Sequence, residues 1–280
     1  MIKALSPAKI NLHLTVLRKR PDGYHDIFSL MQRISLYDAL SFCPRDRDIV
    51  ISCPDSSLPV NEDNIVYRAA RAIFAKTGYR GGVEIEIKKN IPIAAGLGGG
   101  SSNAAITLVT LNDLFGFRLT KEELMNLGII LGADVPFFIF GKTAWATGIG
   151  EVLTEAQNIP HGWFVLINPG FAVSTRMIYT GLKLGLTSEP INYSIPPLNG
   201  QDDLILFLKN DLEGMTIKLH PEIRQIKDLM RSADAQGSLM SGSGPTVFGF
   251  FPEEQRARAA ASSISGVVPA EWRVIVAHSI

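Results

Sequence analysis

The chain reads as an α+β protein of two domains, on three observations. Its 280 residues are more than one ordinary core organises and enough for two. Strand-type alternation and helix-type periodicity follow one another in both halves. Their order is mixed rather than a repeating parallel βαβ series, so two α+β sandwiches fit better than one doubly wound sheet. A change of pattern after Gly150 divides the chain into 1–157 and 158–280.

The elements follow in order. Ile10, Leu12, Leu14 and Val16 alternate with Lys9, Asn11, His13 and Thr15, which makes a strand with one apolar and one polar face. A turn at Pro21-Asp22-Gly23 leads through Tyr24-His25 into a second extended stretch towards Phe42, so the chain opens as antiparallel β-structure. Asn64 caps a helix through Phe74 that stops near Gly78. Val83-Glu84-Ile85-Glu86-Ile87 alternates as a half-buried strand does. After a glycine-rich loop, Leu108, Leu111 and Phe115 recur at helical spacing until Gly116. Thr120 and Glu123 form a capping box for a helix carrying Leu124, Leu127 and Leu131, ended by Gly132. Trp163 to Ile167 is a buried strand, and 187–199 is a long loop rich in Pro, Asn and Ser. Pro221 starts a helix with Ile223, Ile226, Leu229 and Met230, followed by strands at Thr246 to Phe250 and Val274 to Val276.

Composition narrows the function. Lys plus Arg and Asp plus Glu number 27 each, so no basic surplus draws the chain to nucleic acid. The N-terminal segment lacks the apolar core and cleavage site of a secretory leader, and no apolar run reaches ~20 residues, so a cytoplasmic protein is expected. Cys43 and Cys53 are too few for a disulfide framework or a zinc site and read as reduced packing residues.

The loop Pro92-Ile93-Ala94-Ala95-Gly96-Leu97-Gly98-Gly99-Gly100-Ser101-Ser102 is the most informative segment. Four glycines in five positions let the backbone approach a ligand, and the first amides of the following helix point into the loop, where phosphate oxygens satisfy them. A Walker loop is excluded because no Lys precedes Ser101, and a dinucleotide turn is a poor match because the next acid, Asp113, falls inside the helix. The alternative is a flexible turn in which Ser101 or Ser102 caps the helix.

Phosphoryl transfer also requires a cation and a group that orients the nucleophile. Lys9 and Asp134 are the candidates, although Lys9 reads equally as a solvent-exposed side chain and Asp134 as the cap of a helix with Pro136 in its first turn. Ser101 and Ser102 offer hydroxyls to phosphate or Mg²⁺, an ion that arrives with a nucleotide and takes few protein ligands; no dedicated carboxylate cage for a metal is visible. Ser243 and Gly244 sit in a second glycine segment, either an ordinary turn or a cover for phosphate. Tyr24 and Tyr179 can stack on a base and His25 can read its edge, or all three are ordinary packing and turn residues.

Pro7-Ala8-Lys9-Ile10-Asn11-Leu12, Pro92 to Ala105 and Ser241-Gly242-Ser243-Gly244-Pro245-Thr246 together resemble the three motifs of the GHMP small-molecule kinases, in the same order and spacing over most of the chain. Gly23-Tyr24-His25, Asn61 to Asn64, Gly132 to Phe138 and Asn168-Pro169-Gly170 resemble the branch of that superfamily that acts on a cytidine diphosphate-linked sugar alcohol. The resemblance implies an N-terminal domain like the second domain of ribosomal protein S5, a ferredoxin-like C-terminal domain and an active site between them. It implies ATP as phosphate donor with Mg²⁺, a C2 hydroxyl as acceptor, and a place on the methylerythritol phosphate route to isoprenoid precursors. By similarity Asp134 takes the hydroxyl proton and Lys9 steadies Asp134 and the transferring group, while Pro92 to Ser102 wrap the ATP phosphates. Asn64, Ile65 and Val66 match adenine-lining positions; Tyr24, His25 and Tyr179 match cytosine-binding ones; Asn11, Thr175, Ser243 and Gly244 match positions that hold the acceptor. Two alternatives are another kinase of the superfamily, of homoserine or mevalonate type, and a catalytically silent nucleotide-binding module. Tyr24-His25 argues against the first, and Lys9 with Asp134 against the second.

Overall fold

The computed structural model describes residues 1–54, 58–182, 195 and 197–280, so most of the loop expected at 187–199 lies outside the described residues. It divides into two compact units that interleave along the chain: 1–8, 36–91 and 98–142 form one, and 9–35, 92–97 and 143–280 the other. Two long strands, β1 (Ile2–Lys19) and β2 (His25–Arg45), supply residues to both.

In the first unit, β2 pairs with β4 (Gly82–Lys88), which lies parallel to β3 (Ile49–Ser52). Leu40 faces Ile87 and Phe42 faces Ile85 across this ladder, and all four are buried, while Glu86 and Lys88 are exposed. The alternation read from the sequence is therefore the inside-outside pattern of a one-sided sheet. Helix α1 (Ile65–Thr77) begins where Asn64 Oδ1 accepts the Val66 amide at 2.9 Å and ends at Gly78, left-handed at φ 69°. α2 (Gly99–Leu114) packs on α1, and the fully buried Ala69, Ala70, Ala104 and Ala105 give both helices the small residues that close approach needs. α3 (Lys121–Leu131) carries the complete Thr120–Glu123 capping box, and α4 (Val135–Phe140) packs on α3 and α2. Phe115 lies just beyond α2 rather than inside it, and joins Phe74, Tyr79 and Phe117 in an aromatic cluster.

In the second unit β5 (Ala144–Thr147) pairs with β2, placing Trp145 opposite Leu30, and with β6 (Val152–Glu155). A four-stranded sheet contains β7 (Trp163–Asn168), β9 (Gly237–Met240), β10 (Val247–Phe251) and β11 (Arg273–His278) in the order β11-β7-β10-β9, antiparallel throughout. Between β7 and β9 the chain forms α5 (Thr175–Gly181), α6 (Gln201–Phe207), β8 (Lys209–Asn210), α7 (Glu213–Leu219) and α8 (Glu222–Ser232); α9 (Glu254–Ser265) joins β10 to β11. This is the split βαβ arrangement expected of a ferredoxin-like domain. β8 lies parallel to β1 at His13 and Leu14. The core packs Val165, Ile167, Val247 and Phe251 of the sheet with Ile223, Ile226 and Met230 of α8 and Ala257 and Ile264 of α9. Leu229 is only half-buried, because Met230 takes the core-facing position beside it.

Candidate active site

Three segments far apart in sequence meet in the second unit. The Lys9 amide donates to Leu97 O at 2.9 Å, so the first strand runs along the glycine loop. Ser241 Oγ accepts the Asn11 amide at 3.3 Å and donates to Gly96 O at 2.8 Å, and the Thr246 amide donates to Ala95 O at 3.3 Å. Gly96 has φ 75°, and a Cβ there would collide with Ser241 O, so glycine is required both for the turn and for the approach. Ala94 also has positive φ, at 52°, a conformation that costs a residue with a Cβ on the order of 1–3 kcal/mol and that the surrounding bonds must hold.

Lys9 does not extend to solvent. It is 4 % exposed and donates from Nζ to Asn11 Oδ1 at 2.7 Å. Asn11 in turn donates to Ser29 Oγ at 2.8 Å, and Ser29 donates to His13 O at 2.6 Å. A buried ammonium of this kind acts through a low-dielectric surrounding, where its field is much stronger than in water.

The second glycine segment is also built rather than loose. Asn210 Nδ2 donates to Met240 O and Gly242 O, both at 2.7 Å, and Thr216 donates to Ser243 O. Ser243 Oγ and Thr175 Oγ1 share a hydrogen bond of 2.8 Å, which brings two of the expected acceptor-binding residues together, and Gly244 sits beside them at φ 84°. Asn168 Nδ2 holds Thr246 Oγ1 at 2.9 Å. Asn210 and Thr216 were not foreseen, since a lone Asn at the end of a two-residue strand and a lone Thr inside a seven-residue helix carry no distinctive sequence signal.

His25 lies with its ring 5.0 Å from that of Tyr179, while Tyr24 is exposed. Burial, with a smaller contribution from Lys19, pushes the His25 imidazole below its ordinary value. It is neutral at pH 7 and offers one donor and one acceptor. The turn that carries Tyr24 and His25 is held by Asp26, which accepts from Arg18 and Arg20, and by Asp22, which pairs with Arg20 and accepts the Tyr24 amide. Arg18 and Arg20 are thus half-buried and committed to carboxylates.

In the first unit the helix after the loop starts earlier than expected. Gly98, at φ 68°, is the N-cap residue of α2, so Ser101 and Ser102 lie in its first turn and neither caps it. A glycine in the left-handed region starts the helix as soon as the loop ends. By position, the amides of Gly99, Gly100 and Ser101 have no carbonyl in the preceding turn. The Ser102 hydroxyl is fully buried and accepts from Ser6 Oγ at 2.7 Å. Ile65 lies beside the start of α2, since a Cβ at Gly100 would stand 3.8 Å from its Cγ2; Val66 is buried. A Cβ at Gly132 would stand 3.8 Å from Ser101 Oγ, so the first turn of α2 also runs beside the segment that carries Asp134. Asp134 occupies the N-cap position of α4 with helical φ and ψ, and its side chain makes no cap hydrogen bond. Capping therefore does not account for this carboxylate. Among the described residues no group of three or more His, Cys, Asp or Glu is placed to hold a metal, and no helix is long and apolar enough to cross a membrane.

The GHMP kinases N-terminal domain family matches residues 64–142 and the GHMP kinases C-terminal family residues 199–270. The 4-diphosphocytidyl-2-C-methyl-D-erythritol kinase of Syntrophus aciditrophicus is 56 % identical over 280 residues, which cover 100 % of each chain. That of Syntrophotalea carbinolica is 48 % identical over 99 % of this chain and 98 % of its own. The crystal structure of a 4-(cytidine 5'-diphospho)-2C-methyl-D-erythritol kinase is 34 % identical and aligns with a TM-score of 0.82 over 99 % of each chain. The fold is the two-domain α+β fold of the GHMP kinases, and the chain belongs to that superfamily, in the family of the 4-diphosphocytidyl-2-C-methyl-D-erythritol kinases.

Proposed function

We propose that the chain transfers the γ-phosphate of ATP to the C2 hydroxyl of 4-diphosphocytidyl-2-C-methyl-D-erythritol, in the cytoplasm, on the methylerythritol phosphate route to isoprenoid precursors. The observation that carries this reading is the buried Lys9 ammonium on a strand bonded along the glycine loop, with the Ser241 hydroxyl joining that strand to the loop. The small-molecule partners are ATP and the cytidine diphosphate-linked sugar alcohol, and nucleic acid is not among them. Along the sequence the division at 157 and 158 separates the two family matches, while the compact units interleave across it.

Asp134 accepts the proton of the C2 hydroxyl as its oxygen bonds to the γ-phosphorus. The bond from that phosphorus to the β,γ-bridging oxygen breaks, and ADP leaves. Lys9 opposes the negative charge that spreads over the transferring group, and the amides from Pro92 to Ser102 hold the remaining phosphates. Catalysis of this kind is positioning and charge stabilisation, which suits a site built from a tethered ammonium and rigid main chain. Asn64, Ile65 and Val66 line the adenine site. Tyr24 and Tyr179 stack on cytosine and neutral His25 reads its edge, while Asn11, Thr175, Ser243 and Gly244 hold the rest of the acceptor. The donor set fits Mg²⁺: a hydroxyl at Ser101 and one nearby carboxylate segment suit an ion that keeps most of its waters and binds phosphate oxygens. Bound with the nucleotide, the ion would neutralise phosphate charge.

The test incubates the purified protein with ATP, Mg²⁺ and the diphosphocytidyl sugar alcohol, with homoserine and mevalonate as comparison acceptors, and weighs the products. The cytidyl acceptor alone should gain one phosphate. Phosphorylation of another acceptor in its place, or of none, refutes the proposal.

A further inference from the structure

We propose that Asp38 is a positioning residue of the phosphate loop, tying the segment that leads into the loop and the helical turn that leaves it to one buried carboxylate. The proposal rests on the loop being the nucleotide cradle described above.

Asp38 lies on β2 and is fully buried. Its Oδ1 accepts the amides of Asn90 at 2.7 Å and Ile91 at 2.9 Å, the last residues before the loop. Its Oδ2 accepts from the Lys89 ammonium and from Asn103 Nδ2, the latter at 2.9 Å. Lys89 also donates to Asn103 Oδ1 at 3.1 Å. Asn103 donates to Ser6 Oγ at 2.8 Å, and Ser6 passes the chain of bonds to Ser102 at 2.7 Å. Residues 89–91 and 102–103 thus hang from the same group. A Cβ at Gly99 would stand 3.4 Å from Lys89 Nζ and 3.0 Å from Ile91 Cγ2, so this assembly lies directly beneath the first residue of α2.

Stability alone does not explain the choice of residues. A buried ion pair gains little over apolar side chains of the same volume, because desolvation offsets the attraction. The pair does supply direction: four donors arrive at two oxygens along fixed lines, and a network satisfied at every member has one arrangement. The glycines between the two anchors have no side chains with which to fix themselves. Their amides point where the anchors place them.

Two variants test this. Asn103→Ala removes the downstream anchor and leaves the Asp38–Lys89 pair intact, so it is expected to fold. Asp38→Asn combined with Lys89→Met removes both charges together, which leaves no ammonium alone beneath the loop to attract phosphate. In each, KM for ATP and the calorimetric Kd for ADP should rise about tenfold, as expected from the loss of one well-placed phosphate hydrogen bond. The KM for the acceptor and kcat at saturating ATP should stay close to wild type. Leu124→Ala, a buried truncation in α3, serves as the control for lost stability and should leave KM for ATP unchanged. Folded variants with wild-type ADP affinity, or an acceptor KM that rises in step with that for ATP, would overturn the proposal. Failure of the wild-type chain to bind ADP would instead refute the nucleotide reading of the loop.

Discussion

Replacing Ser241 by alanine removes the hydroxyl through which the Lys9 strand, the glycine loop and the third motif are joined. Ser241 is fully buried, and its oxygen both accepts from the Asn11 amide at 3.3 Å and donates to Gly96 O at 2.8 Å. The substitution leaves one main-chain donor and one main-chain acceptor without this partner. An orphaned buried group costs about 1–3 kcal/mol. The longer bond to Asn11 belongs at the low end of that range, so the sum is roughly 2–4 kcal/mol. For a chain of 280 residues that corresponds to a fall in melting temperature of roughly 3–7 °C. The effect on turnover should be larger than the loss of folded protein explains, because the strand carrying the buried ammonium loses one of its ties to the loop. A displacement of about 1 Å in a positioning element can cost ~10²-fold. The assay is kcat at saturating ATP and acceptor, measured well below the melting transition of the variant and set beside its melting curve. A variant that melts with wild type and turns over within twofold of it would refute the claim that this hydroxyl couples the three segments.

Asp134→Asn should lower kcat by ~10²–10⁴-fold, the range of general-base catalysis, with ADP affinity by calorimetry little changed; unimpaired turnover would remove Asp134 from the mechanism. Lys9→Ala should also reduce kcat sharply, and recovery of rate in Lys9→Arg would indicate that charge matters more than the shape of the ammonium. Free cytidine diphosphate should raise the melting temperature, reaching about 2.7 kcal/mol of stabilisation at roughly 100 times its Kd, and Tyr179→Ala should reduce that protection; equal protection in the variant would exclude Tyr179 from the cytosine site. His13 is held below its ordinary pKa chiefly by burial, and His25 by burial and then Lys19. As pH falls the unfolded chain takes up these protons before the folded one does, so their contribution is complete above the ordinary value of 6.5 and is lost as pH drops through the lower folded values. Melting curves from about pH 7.5 down to about pH 5 should show that loss, and His13→Gln should flatten it; an unchanged acid limb would place the sensitivity elsewhere.

Features whose cause is local were legible in advance. Asn64, Gly78 and the Thr120–Glu123 box act within a turn of their helices, and each does what its residue type favours there. The glycine loop, the alternation of Lys9 to Val16 and the buried run at Trp163 were legible for the same reason. The start of α2 was not, because the preference for serine caps competes with a left-handed glycine that begins the helix first. The burial of Lys9 was missed because lysine is usually exposed and its environment is supplied by other segments, including Leu97 bonded to its own amide. The short helices α5, α6 and α7 escaped notice, since seven residues are too few to set up a periodic signal.

The amino-acid order alone determined the α+β class, the caps of α1 and α3, and the family to which the three motifs point, because each depends on residues adjacent in the chain or on a recognisable string. Only the folded molecule decided that one serine hydroxyl at 241 meets residues 11 and 96, that Asp38 gathers residues 89 to 91 and 103, and that Asp134 heads a helix without capping it. Bonds between groups so far apart along the chain leave no period or spacing behind, and they form only once burial has removed the water that would otherwise satisfy the same donors and acceptors.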